Sequence, residues 1–154
     1  MLKPAELKKF SEEFTKLFAT NEYKAMAQDL GIEAFDKGAC EMVARSLQSV
    51  LGGTLFAIAM LEKSEDYADW PLQHFILKHG KHFIDNTGIH TRTSAVEAVK
   101  KVMGENNVYR IGPLNGKWSY DGLWVGEHLY SSKVANRLKE DAQRILQEVR
   151  VVVP

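Results

Sequence analysis

The chain of 154 residues carries a single cysteine, Cys40, and only four prolines. One cysteine excludes an intrachain disulfide and a cysteine-rich zinc module. An excess of one charge is missing too, because 20 Lys and Arg offset 20 Asp and Glu. A net charge of zero supplies no broad attraction to nucleic acid or anionic lipid, so neither is expected as a partner. No apolar run approaches the ~18–20 residues of a membrane-spanning helix. The opening MLKPAELKKFSEEF is charged and helix-like, without the apolar centre of a secretion signal, so a reducing cytoplasm is the expected compartment. Neither GxxxxGK[ST] nor GxGxxG occurs, and HExxH and paired-cysteine motifs are absent. No cofactor and no metal site is therefore expected. What is present is ordinary globular composition, 45% hydrophobic and 26% charged. The length fits one compact domain of ~100–200 residues. No Pro/Gly/Ser linker and no repeat divides it, so residues 1–154 read as a single α+β domain.

Apolar spacing gives the order of elements. Leu7, Phe10, Phe14, Leu17 and Phe18 recur at helical intervals after Pro4, which suits a first helical turn. A second short helix fits Glu22 to Leu30, stopped by Gly31. Cys40, Val43, Ala44, Leu47, Val50 and Leu51 form the stripe of a third, ended by Gly52-Gly53. The run Thr54 to Leu61 is short and nearly all apolar, as in a strand buried on both faces. Leu72–Lys78 and Lys81–Asp85 flank His79-Gly80 as a hairpin, and Asn86-Thr87-Gly88 breaks the second strand. Thr93 or Ser94 is placed to cap a helix through Met103. Residues 108–126 suggest irregular or short β structure. Val134, Leu138, Ala142, Ile145 and Val149 mark a long final helix, and Val151 to Val153 suggest an edge strand.

Three residues stand where chemistry can use them. Cys40 opens a helix directly after Gly38-Ala39. First-turn N–H groups and the helix dipole favour a thiolate, the Cys40 N–H can hold an oxyanion, and the small Ala39 lets a substrate approach. With His79-Gly80 as the turn, Lys78 pairs with Lys81 and Ile76 with Phe83. His74 and Asp85 are then directly opposite on one face, with Cβ atoms ~4.5–5.5 Å apart. Asp85 would orient the imidazole and stabilise its protonated form, as in a nucleophilic triad. Simpler roles exist for each residue. A lone cysteine on an apolar stripe packs as core, a lone histidine is commonly structural, and Asp85 before Asn86 suits a turn.

The segments GACEMVARSLQSVLGG and QHFILKHGKHFIDNTGIHT resemble the Cys–His–Asp/Asn core of papain-like and transglutaminase-like proteins. The resemblance covers residues 38–91, about a third of the chain. It implies a cysteine-bearing central helix packed on a small antiparallel sheet. It also implies acyl transfer on an amide by a peptidase, amidase or deamidase-like enzyme. Cys40 would be the nucleophile, His74 the base and Asp85 the orienting acid. Substrates would be peptides, proteins or small amides. Papain-type enzymes place a Gln a few residues before the cysteine as an oxyanion donor. Ala34 to Lys37 contains neither Gln nor Asn, which leaves Gln73 or a backbone N–H for that part.

Two other functions compete. His74, His79, His82 and His90 suggest a metal site, but the proposed register scatters them over the turn and both faces. NGKWSYDGLW suggests a non-enzymatic interaction or inhibitor protein on a degenerate cysteine-hydrolase scaffold, since Trp and Tyr often anchor interfaces. Lys133, Arg137, Lys139 and Arg144 alternate with Glu140, Asp141 and Glu148, a solvated helix face rather than a basic stripe for nucleic acid. Thiol reactivity separates enzyme from adaptor. A catalytic cysteine alkylates well below pH ~8.5, and a core cysteine reacts slowly in the native state.

Overall fold

A computed structural model describes residues 1–61, 72–114 and 131–152. Helices α1 (Pro4–Leu17), α2 (Asn21–Leu30) and α3 (Cys40–Leu51) precede strands β1 (Thr54–Leu61), β2 (Leu72–His79), β3 (His82–Asp85) and β4 (Gly88–His90). Helix α4 (Arg92–Met103), strand β5 (Val108–Pro113) and helix α5 (Ser132–Val152) complete the order. The strands form one antiparallel sheet in the order β4-β3-β2-β1-β5. The class is α+β, with the cysteine-bearing helix packed on the sheet.

β1 lies near the centre and is buried on both faces, as its unbroken apolar run requires. Leu55, Ala57 and Ala59 join Phe75, Leu77 and Ile84 in a core shared with α1, α3 and α5. Phe56 and Ile58 join Ile76 and Phe83 in a second core, closed by Ala95 and Val99 of α4. The sheet is thus sandwiched between three helices on one face and α4 on the other. The final helix is anchored from within: the buried Tyr23 hydroxyl donates to Asp141 Oδ2 at 2.6 Å, and Arg137 Nε donates to the same oxygen at 2.9 Å.

Four local expectations need correction. The β2–β3 turn is Gly80-Lys81, with His79 paired to His82 rather than Lys78 to Lys81. Glycine explains the choice, because Gly80 takes φ 62°, which a histidine would adopt only with strain. Asn86-Thr87 does not simply end the sheet. It turns the chain into β4, with Asp85 paired to Gly88. Helix α4 starts earlier than expected, capped by Thr91, whose side chain accepts from Ser94 N–H. Val151 and Val152 continue α5 instead of forming an edge strand. Residues 62–71 and the whole of the aromatic segment NGKWSYDGLW lie outside the described residues.

Gly53 shows how tightly the junction between α3 and β1 is built. Its φ is +100°, and a Cβ there would stand 2.4 Å from the Lys78 carbonyl oxygen. Gly53→Ala is expected to cost at least ~2 kcal/mol, since the backbone conformation alone costs ~1–2 kcal/mol for an L residue. Urea unfolding checks this, and a loss under ~0.5 kcal/mol, the range of a neutral surface change, would contradict it.

Candidate functional site

Cys40 is the first residue of α3, and Ala39 is its N-cap. No side chain caps this end, so the first-turn N–H groups next to the sulfur keep the positive end of the helix dipole uncovered. Ala39 itself supplies no free donor, because its N–H is given to the Phe35 carbonyl at 3.0 Å. Its role is spatial: a buried methyl at the point where the chain enters the helix. The Cys40 residue is 6% exposed.

His74 lies near the start of β2, across from Ile58, next to a bulge in the β1–β2 ladder. The extra residue at that bulge is Gln73, whose side chain lies outside the described residues. A bulge bends its strand and re-aims neighbouring side chains. The observed β2–β3 register, continued by one residue, sets Asp85 across from Ile76, not from His74 as expected. The register differs from the expected one by two residues, and side chains alternate with a period of two, so both residues still share a face. They meet diagonally, His74 Nε2 donating to Asp85 Oδ2 at 2.9 Å.

Asp85 is shared. Its Oδ1 accepts from the Thr87 N–H at 2.8 Å, the Thr87 hydroxyl at 2.6 Å and His90 Nε2 at 3.2 Å. The His90 Nε2 also lies 3.0 Å from Thr87 Oγ1. Thr87 has one hydroxyl proton and gives it to Asp85, so His90 Nε2 must be the donor to both oxygens. His90 is held by the Phe83–His90 pair of the β3–β4 ladder, two places from Gly88 and on the face of Asp85. The sequence did carry a signal for it. If Asn86-Thr87 is read as a two-residue turn, His90 falls diagonally beside Asp85, as His74 does on the other side.

The electrostatics follow from this geometry. Burial alone would raise the Asp85 carboxyl, but hydrogen bonds from His74 and His90 outweigh it and hold Asp85 well below the usual carboxylate range. Burial would likewise discharge His74, but hydrogen bonds to Asp85 and to the Cys40 sulfur outweigh it and push the imidazole up to about 10. Since Nε2 is taken by Asp85, Nδ1 is the ring nitrogen left for the sulfur. The structure therefore brings His74 and Asp85 into one buried pair beside the Cys40 sulfur, with Thr87 and His90 behind the carboxylate.

The other histidines go elsewhere. His79 ends β2 on the opposite face, buried, and accepts from the Leu2 N–H at 3.3 Å. His82 pairs with it across the ladder. Among the described residues no group of three or more His, Cys, Asp or Glu side chains is arranged to hold a metal ion. Among them, too, no helix is long and apolar enough to cross a membrane. Beside the imidazoles a cavity of about 80 Å³ opens between His74, Asp85, Thr87 and His90 on one side and α4 on the other. In comparisons with known proteins, no family model, no curated protein and no solved structure matches this chain.

Proposed function

We propose that the protein is a cysteine-dependent acyl-transfer enzyme acting on amide bonds, built on a papain-like arrangement of helix and sheet. The observation that carries this reading is the buried His74 imidazole, hydrogen-bonded to the Asp85 carboxylate at 2.9 Å, with the Cys40 sulfur near enough to help keep the ring protonated. A histidine filling space in the core has no use for a buried carboxylate behind it and a thiol in front.

In this reading His74 takes the thiol proton and is held as imidazolium by Asp85. The Cys40 thiolate attacks the carbonyl carbon of an amide, and the carbonyl π pair moves to oxygen. First-turn N–H groups of α3, left without a side-chain cap, stabilise that oxyanion. The tetrahedral adduct collapses as the C–N bond breaks, and the His74 imidazolium gives its proton to the leaving amine. A thioester on Cys40 remains. Water or a second amine, deprotonated by His74, attacks the thioester and releases the acyl group. Substrates are then peptides, proteins or small amides, and the cytoplasm suits a free thiol that must stay reduced.

Iodoacetamide tests the thiol directly. Cys40 is expected to alkylate in the native protein near pH 6, where an ordinary thiol is almost wholly protonated, and His74→Gln is expected to slow that reaction at least ~10-fold. Equal rates in the two proteins, or a thiol that reacts only after denaturation, would overturn the proposal.

A further inference from the structure

We propose that the cavity between the imidazoles and α4 is the substrate's side-chain pocket, and that it selects amides flanked by a short branched aliphatic group. This rests on the acyl-transfer reading and adds to it the class of substrate. The cavity belongs to the site by position. His74, whose proton the Cys40 sulfur helps to hold, forms part of its wall, and so do Asp36 and Lys37 of the loop leading into Cys40.

Its chemistry is divided. α4 contributes only apolar groups: Ala95 and Val99 form a buried floor, and Ala98, Val102 and Met103 form the outer lip. Val102 is 59% exposed and Met103 46%, although few large apolar side chains among the described residues lie in water. A lip of this kind beside a polar cluster is what a ligand site exposes when empty. Opposite the lip stands His90, whose Nε2 is committed to Asp85 and Thr87. Among the described residues nothing hydrogen-bonds its Nδ1, which leaves that atom for the substrate's own amide.

Size decides the occupant. The volume of about 80 Å³ is roughly half of the ~150 Å³ cavity that admits benzene. An isopropyl or isobutyl group matches this volume more closely than a phenyl ring does. Ala95, buried in the floor, sets the depth, and a longer side chain at Ala98 on the lip would narrow the mouth.

The test compares N-isobutyl- with N-benzyl-iodoacetamide on Cys40, using glutathione as the reference thiol. The isobutyl reagent is expected to be favoured roughly 10-fold beyond its ratio on glutathione, the scale on which a shaped apolar pocket discriminates. In Ala98→Leu that preference is expected to fall to the glutathione ratio. A wild-type ratio equal to that of glutathione, while iodoacetamide still labels Cys40, would overturn the pocket and leave the nucleophile standing. If plain iodoacetamide fails to label native Cys40, the acyl-transfer reading falls instead. A methyl NMR titration with isobutyramide then decides the pocket alone. Shifts centred on Ala95, Ala98 and Val99, lost in Ala98→Leu, support it, and an unperturbed spectrum at tens of millimolar overturns it.

Discussion

Asp85→Ala loses about 3–5 kcal/mol of stability near pH 6, the cost of removing one partner from a buried ion pair. The His74 and Asp85 side chains are only 10% and 9% exposed, so water cannot take over the missing role. The loss has a pH signature. Asp85 is lowered in the folded state from an ordinary 3.8, so its contribution is present above about 4 and disappears as pH falls through the lowered value. His74 is raised from 6.5 to about 10, so its contribution is complete below 6.5 and is lost as pH climbs toward 10. Both act fully only between about 4 and 6.5, and there the wild type and Asp85→Ala differ most. In the variant, burial of His74 is opposed only by the Cys40 sulfur, so its imidazole titrates below its wild-type value. Urea unfolding from pH 4 to 10 measures the difference. A gap under ~1 kcal/mol at pH 6 would show that water or a neighbour already compensates the pair.

Cys40→Ala abolishes amide-directed turnover and leaves the fold intact. No other thiol exists in the chain to replace it. The substitution removes one buried sulfur atom, on the scale of a methylene, with a stability cost of ~1 kcal/mol. The loss of turnover and the loss of stability are thus separated by a wide margin, unlike in Asp85→Ala, where one carboxylate serves both. Any amide-directed turnover surviving Cys40→Ala would remove Cys40 as nucleophile.

How much of this was legible in the sequence depends on which forces set each feature. The helix opening at Cys40 was visible because Gly38-Ala39 and the stripe from Cys40 to Leu51 are local signals. The shared face of His74 and Asp85 survived a wrong turn, because moving a register by two residues preserves which side chains point together. The turn itself was misplaced because His79-Gly80 and Gly80-Lys81 both contain the glycine, and only its position at the first turn residue gives it the φ of 62° seen here. His90 was missed as a partner of Asp85 because Asn86-Thr87-Gly88 looked like a terminator. A three-residue strand such as Gly88–His90 is too short for alternation to reveal. Val151 and Val152 read as strand from their branching, yet they extend a helix already propagated over many turns. The contact between the α3 start and His74 joins distant parts of the chain, and no local pattern encodes it.

The central claim is that sulfur, imidazole and carboxylate act as one coupled unit, and His74 reports on it. Nitrogen NMR of the His74 ring against pH, in the wild type and in Cys40→Ala, measures the coupling without any substrate. The imidazole is expected to stay protonated well above 6.5 in the wild type, donating through Nε2 to Asp85, and to titrate at lower pH once the sulfur is removed. A His74 that titrates near 6.5, or that titrates identically with and without Cys40, would contradict the account.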